Sequence, residues 1–203
     1  FQTGVDVQEI ASDGVGMERY RKSVEDFDLH FTSWHQGVWK PVITAVNGIC
    51  AGGAFHWIAD ADIVIAASDA QFFDPHVSVG QVVSLEAIGL IRKMPAEAVM
   101  RMAFVGRYER MSAERALELG LLNEIVDEDD LLDKAKDWAA RINANGPLAV
   151  RATKESVLRG LATDMREAYK IESELGSMVF GSEDAKEGPR AFAEKRPPNW
   201  QGK

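Results

Sequence analysis

Two kinds of hydrophobic spacing run along this chain, and each predicts its own elements. Met17, Tyr20, Val24, Phe27, Phe31, Trp34 and Val38 recur at intervals of three and four, which predicts an amphipathic helix over 17–38. His30 and His35 flank that stripe and read as helix-surface side chains. The β-branched run "KPVITAV", 40–46, predicts a strand buried on both faces, ended by Asn47-Gly48. "GGAFHWIAD", 52–60, predicts a short helix; "DIVIAA", 62–67, and "AQFFD", 70–74, predict two more strands. Strand, helix, strand in that order implies a right-handed parallel crossover.

From Ser84 onward the pattern is mostly helical. Ser84-Leu85-Glu86 resembles a helix start with the serine as N-cap. Pro95 suits the first turn of the next helix. "SAERALELG", 112–120, carries a serine cap and a closing glycine, and "LLNEIV", 121–126, reads as an edge strand. Helices are then expected over about 128–144, 147–160, 163–180 and 183–195. The reading is an α/β core over 1–127 followed by a helical region over 128–203.

Composition narrows the classes. The chain has 203 residues, 46% of them hydrophobic, and a net charge of −9 with no cluster of Lys and Arg, so nucleic acid is not an expected partner. No apolar run approaches a membrane span and no signal peptide is visible. The single cysteine, Cys50, rules out an internal disulfide framework and suits a reducing compartment; a cytoplasmic location is expected. Phe1 rather than Met opens the chain, and "FQTGVD" reads like the interior of a domain, so a further upstream portion is expected.

The candidate chemistry begins at glycine turns. Ala51-Gly52-Gly53-Ala54 follows a strand and opens a helix, where free N–H groups favour negative charge. Thr3-Gly4-Val5-Asp6 is a second such turn. Two N–H groups from two turns can hold one oxyanion, as an enolate or a tetrahedral intermediate requires; tight packing of strand on helix is the plainer reading of each turn alone.

In these turns and the stretches around them, the chain resembles the crotonase superfamily, also called the enoyl-CoA hydratase/isomerase family. The matching stretches are "FQTGVDVQEI", "KPVITAVNGICAGGAFHWIADADIVIAASDAQF", "RMSAERALELGLLNEIV", "GPLAVRATKESV" and "SEDAKEGPRAFAEKRPPNW", in the family's order and over nearly the whole chain. The resemblance implies an α/β fold, the ClpP/crotonase-like spiral of β-β-α units, with C-terminal helices used in trimer assembly, as a homotrimer or a dimer of trimers. It implies an acyl-CoA substrate, with coenzyme A entering as part of that substrate and no separate cofactor. The oxyanion donors map onto the N–H groups of Val5 and Gly53. The loop carrying Gly4, Asp6, Val7 and Gln8, together with Gly52, lies where the family receives substrate and CoA. Many relatives have Lys or Arg two places after the Asp; Gln8 stands there instead. Phe192 and Lys195 fall in the stretch that in relatives reaches CoA.

The departures are sharper than the match. Family hydratases use two glutamates; their positions hold His56, three places after Gly53, and His76 in "FFDPH", with the interval of twenty kept. Where the family often has a glycine-rich run, this chain has "VVSLEA", which brings in Glu86. Neutral imidazole offers one donor and one acceptor, so it does not reproduce two carboxylates accepting from one water. Histidine suits acid–base work through its reference pKa of about 6.5. Three readings stay open: His56 and His76 with Glu86 as an acid–base set on a CoA thioester; hydrolysis of a C–C bond of β-diketone type; or a non-catalytic acyl-CoA-binding role. A metal is not expected, since no third ligand has a recognisable spacing. Cys50 reads as a small buried residue and Asp62 as structural. Asp74 orients His76 only if Pro75 lets the two side chains share a face.

Overall fold

The computed structural model describes residues 1–3, 18, 22 and 32–203. The chain divides into two compact units, Phe1–Val38 with Val42–Ala135, and Trp39–Pro41 with Lys136–Lys203.

In the first unit the chain coils, and each turn adds one strand to each of two sheets. The first turn supplies β1 (Ile43–Val46), then β2 (Cys50–Ala51), then a tight Gly52–Ala54 turn leading into helix α1 (Phe55–Asp60). The second supplies β3 (Ile63–Ala67) and β4 (Gln71–Phe73), and then a turn at His76–Val79. β3 lies parallel to β1, with Val46 opposite Ala66, and β4 lies parallel to β2, with Ala51 opposite Phe73. Gln2 forms a parallel bridge to Cys50 on β2. The runs "ITAV" and "IVIAA" form strands because small and β-branched side chains fit a pleated surface; β3 is buried from Val64 to Ala67, whereas β1 is buried only at Thr44 and Val46, on one face rather than the two expected. Asp62 Oδ2 accepts the Val42 N–H at 2.7 Å and fixes the start of this ladder.

Helix α2 (Glu86–Leu90) and helix α3 (Ala96–Val105) follow, then β5 (Met111–Ser112), α4 (Ala113–Glu118) and β6 (Glu124–Val126). β6 closes the first sheet as its edge, in the order β1-β3-β6, while β5 runs antiparallel to β4. Ser112 caps α4 by accepting the Arg115 N–H at 3.3 Å, as the sequence predicts. The core between the sheets and helices holds Val46, Phe55, Ile58, Val64, Phe72, Leu90 and Leu121. Burying each such side chain is worth about 1.5–3 kcal/mol before the entropy of ordering it is set against the gain.

The second unit contains most of α5 (Leu131–Asn143), and then α6 (Pro147–Gly160), α7 (Met165–Phe180) and α8 (Glu183–Ala193). α6 and α7 pack as a hairpin, and Asp164 caps α7 through the N–H groups of Arg166 and Glu167. The C-terminal tail is tied down by Asp184, whose carboxylate accepts from the N–H groups of Gln201 and Gly202 at 2.6 and 2.9 Å. The four expected helices are present, with their ends moved inward by up to three residues.

Three sequence expectations change. The helix expected over 17–38 falls mostly outside the described residues; Glu18 and Lys22 are helical, but 33–37 form a turn. Ser84 is not the cap of α2. The cap position is Leu85, and no side chain caps it. Pro95 stands at the cap of α3, one residue before its first turn.

Candidate functional site

Strand register brings the pieces together. β2 and β4 are neighbours, so the residues that follow them, Gly52-Gly53 and Asp74-Pro75-His76, emerge side by side. Gly52 has φ +55°, a conformation that suits glycine, and a Cβ built there would stand 3.6 Å from His76 Cε1 and 3.7 Å from Pro75 Cδ. A Cβ built on Gly53 would stand 3.9 Å from His56 Cδ2. Both histidine rings therefore border the glycine turn.

Pro75 ends the extended path, and His76 starts a tight turn. That bend lets Asp74 and His76 share one face. Asp74 Oδ1 accepts the His76 backbone N–H at 3.0 Å and lies 2.6 Å from His76 Nδ1. The Asp74 hydrogen bond raises the His76 pKa above its ordinary value; burial opposes the rise, and the charges of Asp74 and Glu86 add to it.

Glu86 arrives by an unusual backbone path. Leu85 has φ +65° and ψ −48°, and the Glu86 N–H donates to the Ser84 carbonyl at 2.7 Å. This is a γ-turn with positive φ, a strained arrangement for a residue with a side chain. It turns the carboxylate inward, where Glu86 is 2% exposed. Its Oε1 lies 3.0 Å from His56 Nε2 and 3.9 Å from His76 Nε2. The result is one continuous row, Asp74–His76–Glu86–His56. Asp74 Oδ2 and Glu86 Oε2 are buried with no hydrogen-bond partner among the described residues. Leaving such atoms buried and unpaired costs free energy, and functional sites are where that cost is retained.

Cys50 is fully buried, and burial pushes its thiol up to about 12. A thiol buried and kept neutral in this way is a poor nucleophile. Of the other residues named from the sequence, Gly4, Val5, Asp6, Val7 and Gln8 lie outside the described residues, as does His30. Phe192 is 88% exposed and Lys195 is exposed with φ +52°, both in the second unit. Asp74 is the member of the row that the sequence left undecided. Its signal was local: an Asp side chain commonly bonds the backbone two residues on.

The family model for enoyl-CoA hydratase/isomerase matches residues 1–203, and the chain belongs to that family. Among curated relatives, the carnitinyl-CoA dehydratase of Salmonella paratyphi A is 40% identical over 169 residues, covering 81% of this chain and 64% of the relative. That of Proteus mirabilis is 38% identical over the same span. The chain thus spans 64% of the length of these relatives. Among solved structures, an enoyl-CoA hydratase/isomerase from Mycobacterium paratuberculosis is 50% identical with a TM-score of 0.79, covering 81% of this chain and 65% of that one. An enoyl-CoA hydratase subunit from Geobacillus kaustophilus is 32% identical with a TM-score of 0.84, covering 100% of this chain and 77% of that one. The fold is therefore the crotonase fold.

Proposed function

We propose that this chain acts on an acyl-CoA thioester through an oxyanion-stabilised enolate, with histidines in place of the family's two glutamates. The observation that carries the reading is the buried row Asp74–His76–Glu86–His56 set against Gly52-Gly53. The thioester oxygen accepts from the N–H groups of Gly53 and Val5. Gly53 stands three residues after Cys50, and Val5 stands three after Gln2, its bridge partner, so both donors follow paired residues at the same distance. His56 takes the α-proton, the C–H electron pair moves to the thioester oxygen, and Glu86 beside Nε2 stabilises the imidazolium that forms. His76, whose pKa Asp74 and Glu86 raise, returns a proton to carbon. The names of the relatives, carnitinyl-CoA dehydratase and enoyl-CoA hydratase/isomerase, support a CoA thioester as the substrate. Assembly as a trimer or a dimer of trimers through the C-terminal helices, and contact of Phe192 and Lys195 with CoA, belong to the same proposal.

A second reading draws on the His76–Asp74 pair in particular. A histidine oriented by a carboxylate activates water; attack on a ketone of a β-dicarbonyl compound, with C–C cleavage, gives an enolate for the same oxyanion turn.

The deciding experiment is exchange of the α-protons of butyryl-CoA in D2O, followed by NMR, beside assays of crotonyl-CoA hydration and β-diketone cleavage. Exchange that falls roughly 10²-fold in Gly53→Pro and at least about tenfold in Glu86→Gln supports the enolate reading, with crotonyl-CoA hydration weak or absent. Cleavage of a β-diketone without CoA favours the second. An ordinary hydration rate that survives His56→Ala with His76→Ala overturns the histidine assignment. Tight acyl-CoA binding with no exchange leaves a binding role alone.

A further inference from the structure

Asp74 is fully buried, yet only its Oδ1 is paired among the described residues, and both partners there belong to His76. A capping carboxylate would be satisfied by the backbone N–H; this one also grips the ring. Register explains how it gets there. Ala51 pairs with Phe73, so Asp74 is the first residue beyond the ladder on one side, as Gly52 is on the other. The carboxylate is thereby anchored to the same two strands that carry the glycine turn. The imidazole, pinned at its backbone and at Nδ1 by one oxygen, has little freedom to rotate.

We propose that Asp74 is the positioning residue of this site, holding the His76 ring with Nδ1 as a donor to the carboxylate, so that Nε2 is the nitrogen that exchanges a proton with substrate. Imidazole with its Nδ1 proton fixed can gain or lose a proton only at Nε2. Nε2 is also the nitrogen nearer Glu86, at 3.9 Å from Oε1. The groups that act on His76 are Asp74 at the end of β4 and Glu86 on α2, with His56 beyond Glu86. Cys50, on the neighbouring strand, is kept neutral by burial. The turn after helix α3 meets Val77 and Ser78, where Gly106 packs and the Arg107 N–H donates to Ser78 Oγ. The functional half of this assignment rests on the acid–base role given to His76 above; the orientation half can be read without any substrate.

The test is nitrogen-15 NMR of the histidine side chains in the full-length protein, with Asp74→Asn and Asp74→Glu as variants. The wild-type protein should keep its proton on Nδ1 of His76 in the neutral state and titrate above the ordinary histidine value. Asp74→Asn keeps an oxygen in place but removes the charge, so the midpoint should fall by about one unit or more. The alkaline limb of butyryl-CoA exchange should move down with it, kcat falling and KM changing little, while Asp74→Glu restores part of both. A neutral wild-type His76 protonated on Nε2 overturns the proposal, and that measurement holds even if the variants do not fold. So does an Asp74→Asn midpoint or limb that stays where it was. A lowered midpoint in a protein that exchanges no acyl-CoA protons supports the orientation half and refutes the acyl-CoA reading separately.

Discussion

A Cβ built on Gly89 would stand 2.6 Å from the Cβ of Ala59. Helices α1 and α2 therefore meet at a point where one of them has no side chain. Gly89 comes three residues after Glu86, and Ala59 three after His56. The contact lies one helical turn from the His56–Glu86 pair on both helices, so it sets how closely those two side chains approach.

Gly89→Ala is thus expected to push the helices apart. Alanine gains about 1 kcal/mol in helix propensity, but overpacking a tight contact costs about 1–3 kcal/mol. The atom met is the Cβ of Ala59, which has no flexible end to swing aside, so the clash is expected to win, with a lower denaturation midpoint and a longer His56–Glu86 separation. The unfolding curve and the His56 NMR signals check this. A variant more stable than wild type, with unchanged His56 signals, would mean that the helices yield freely.

The pH dependence of stability has a definite sign at His76. Its folded pKa is raised above the unfolded value of about 6.5. Its stabilising contribution is therefore fully present below that unfolded value and is lost as pH rises through the folded one. Denaturation of wild type and His76→Gln at about pH 6 and about pH 9 measures it. The wild-type advantage should be larger at the acid end; an advantage that grows toward alkaline pH would contradict the Asp74 and Glu86 arrangement.

Cys50 gives a third check. With its thiol pushed up to about 12 and its side chain fully buried, the native protein should not react with a thiol reagent at mildly alkaline pH, and should react fully once unfolded. Cys50→Ala should leave α-proton exchange within about threefold of wild type and lower stability by about 1 kcal/mol. Rapid labelling of the native protein would place Cys50 elsewhere.

Legibility in the sequence followed length and locality. The β-branched runs of β1 and β3 and the capped helix α4 could be read directly, because each carries its own periodicity or end signal. β2 and β5 have two residues each, too few to show any period, and their existence depends on partners far along the chain. The twenty-residue interval placed His56 and His76, yet nothing local says which way Glu86 points. Its direction comes from Leu85, a residue type that gives no warning of a positive φ. Ser84 looked like a cap and instead supplies a carbonyl to that turn. Asp74 was readable only as a possibility, since Pro75 had to bend the chain before the pair could form.

The interval itself has a source outside the chemistry. Val46 lies opposite Ala66 in the sheet; His56 is ten residues beyond the first and His76 ten beyond the second. The spacing is the pitch of the coil, set by how many residues one circuit of the backbone consumes. At those two stations both imidazoles reach the glycine turn. The ladder that sets this pitch, Ile43 to Val46 against Ile63 to Ala66, includes neither histidine, so a substitution at either station leaves the register as it is.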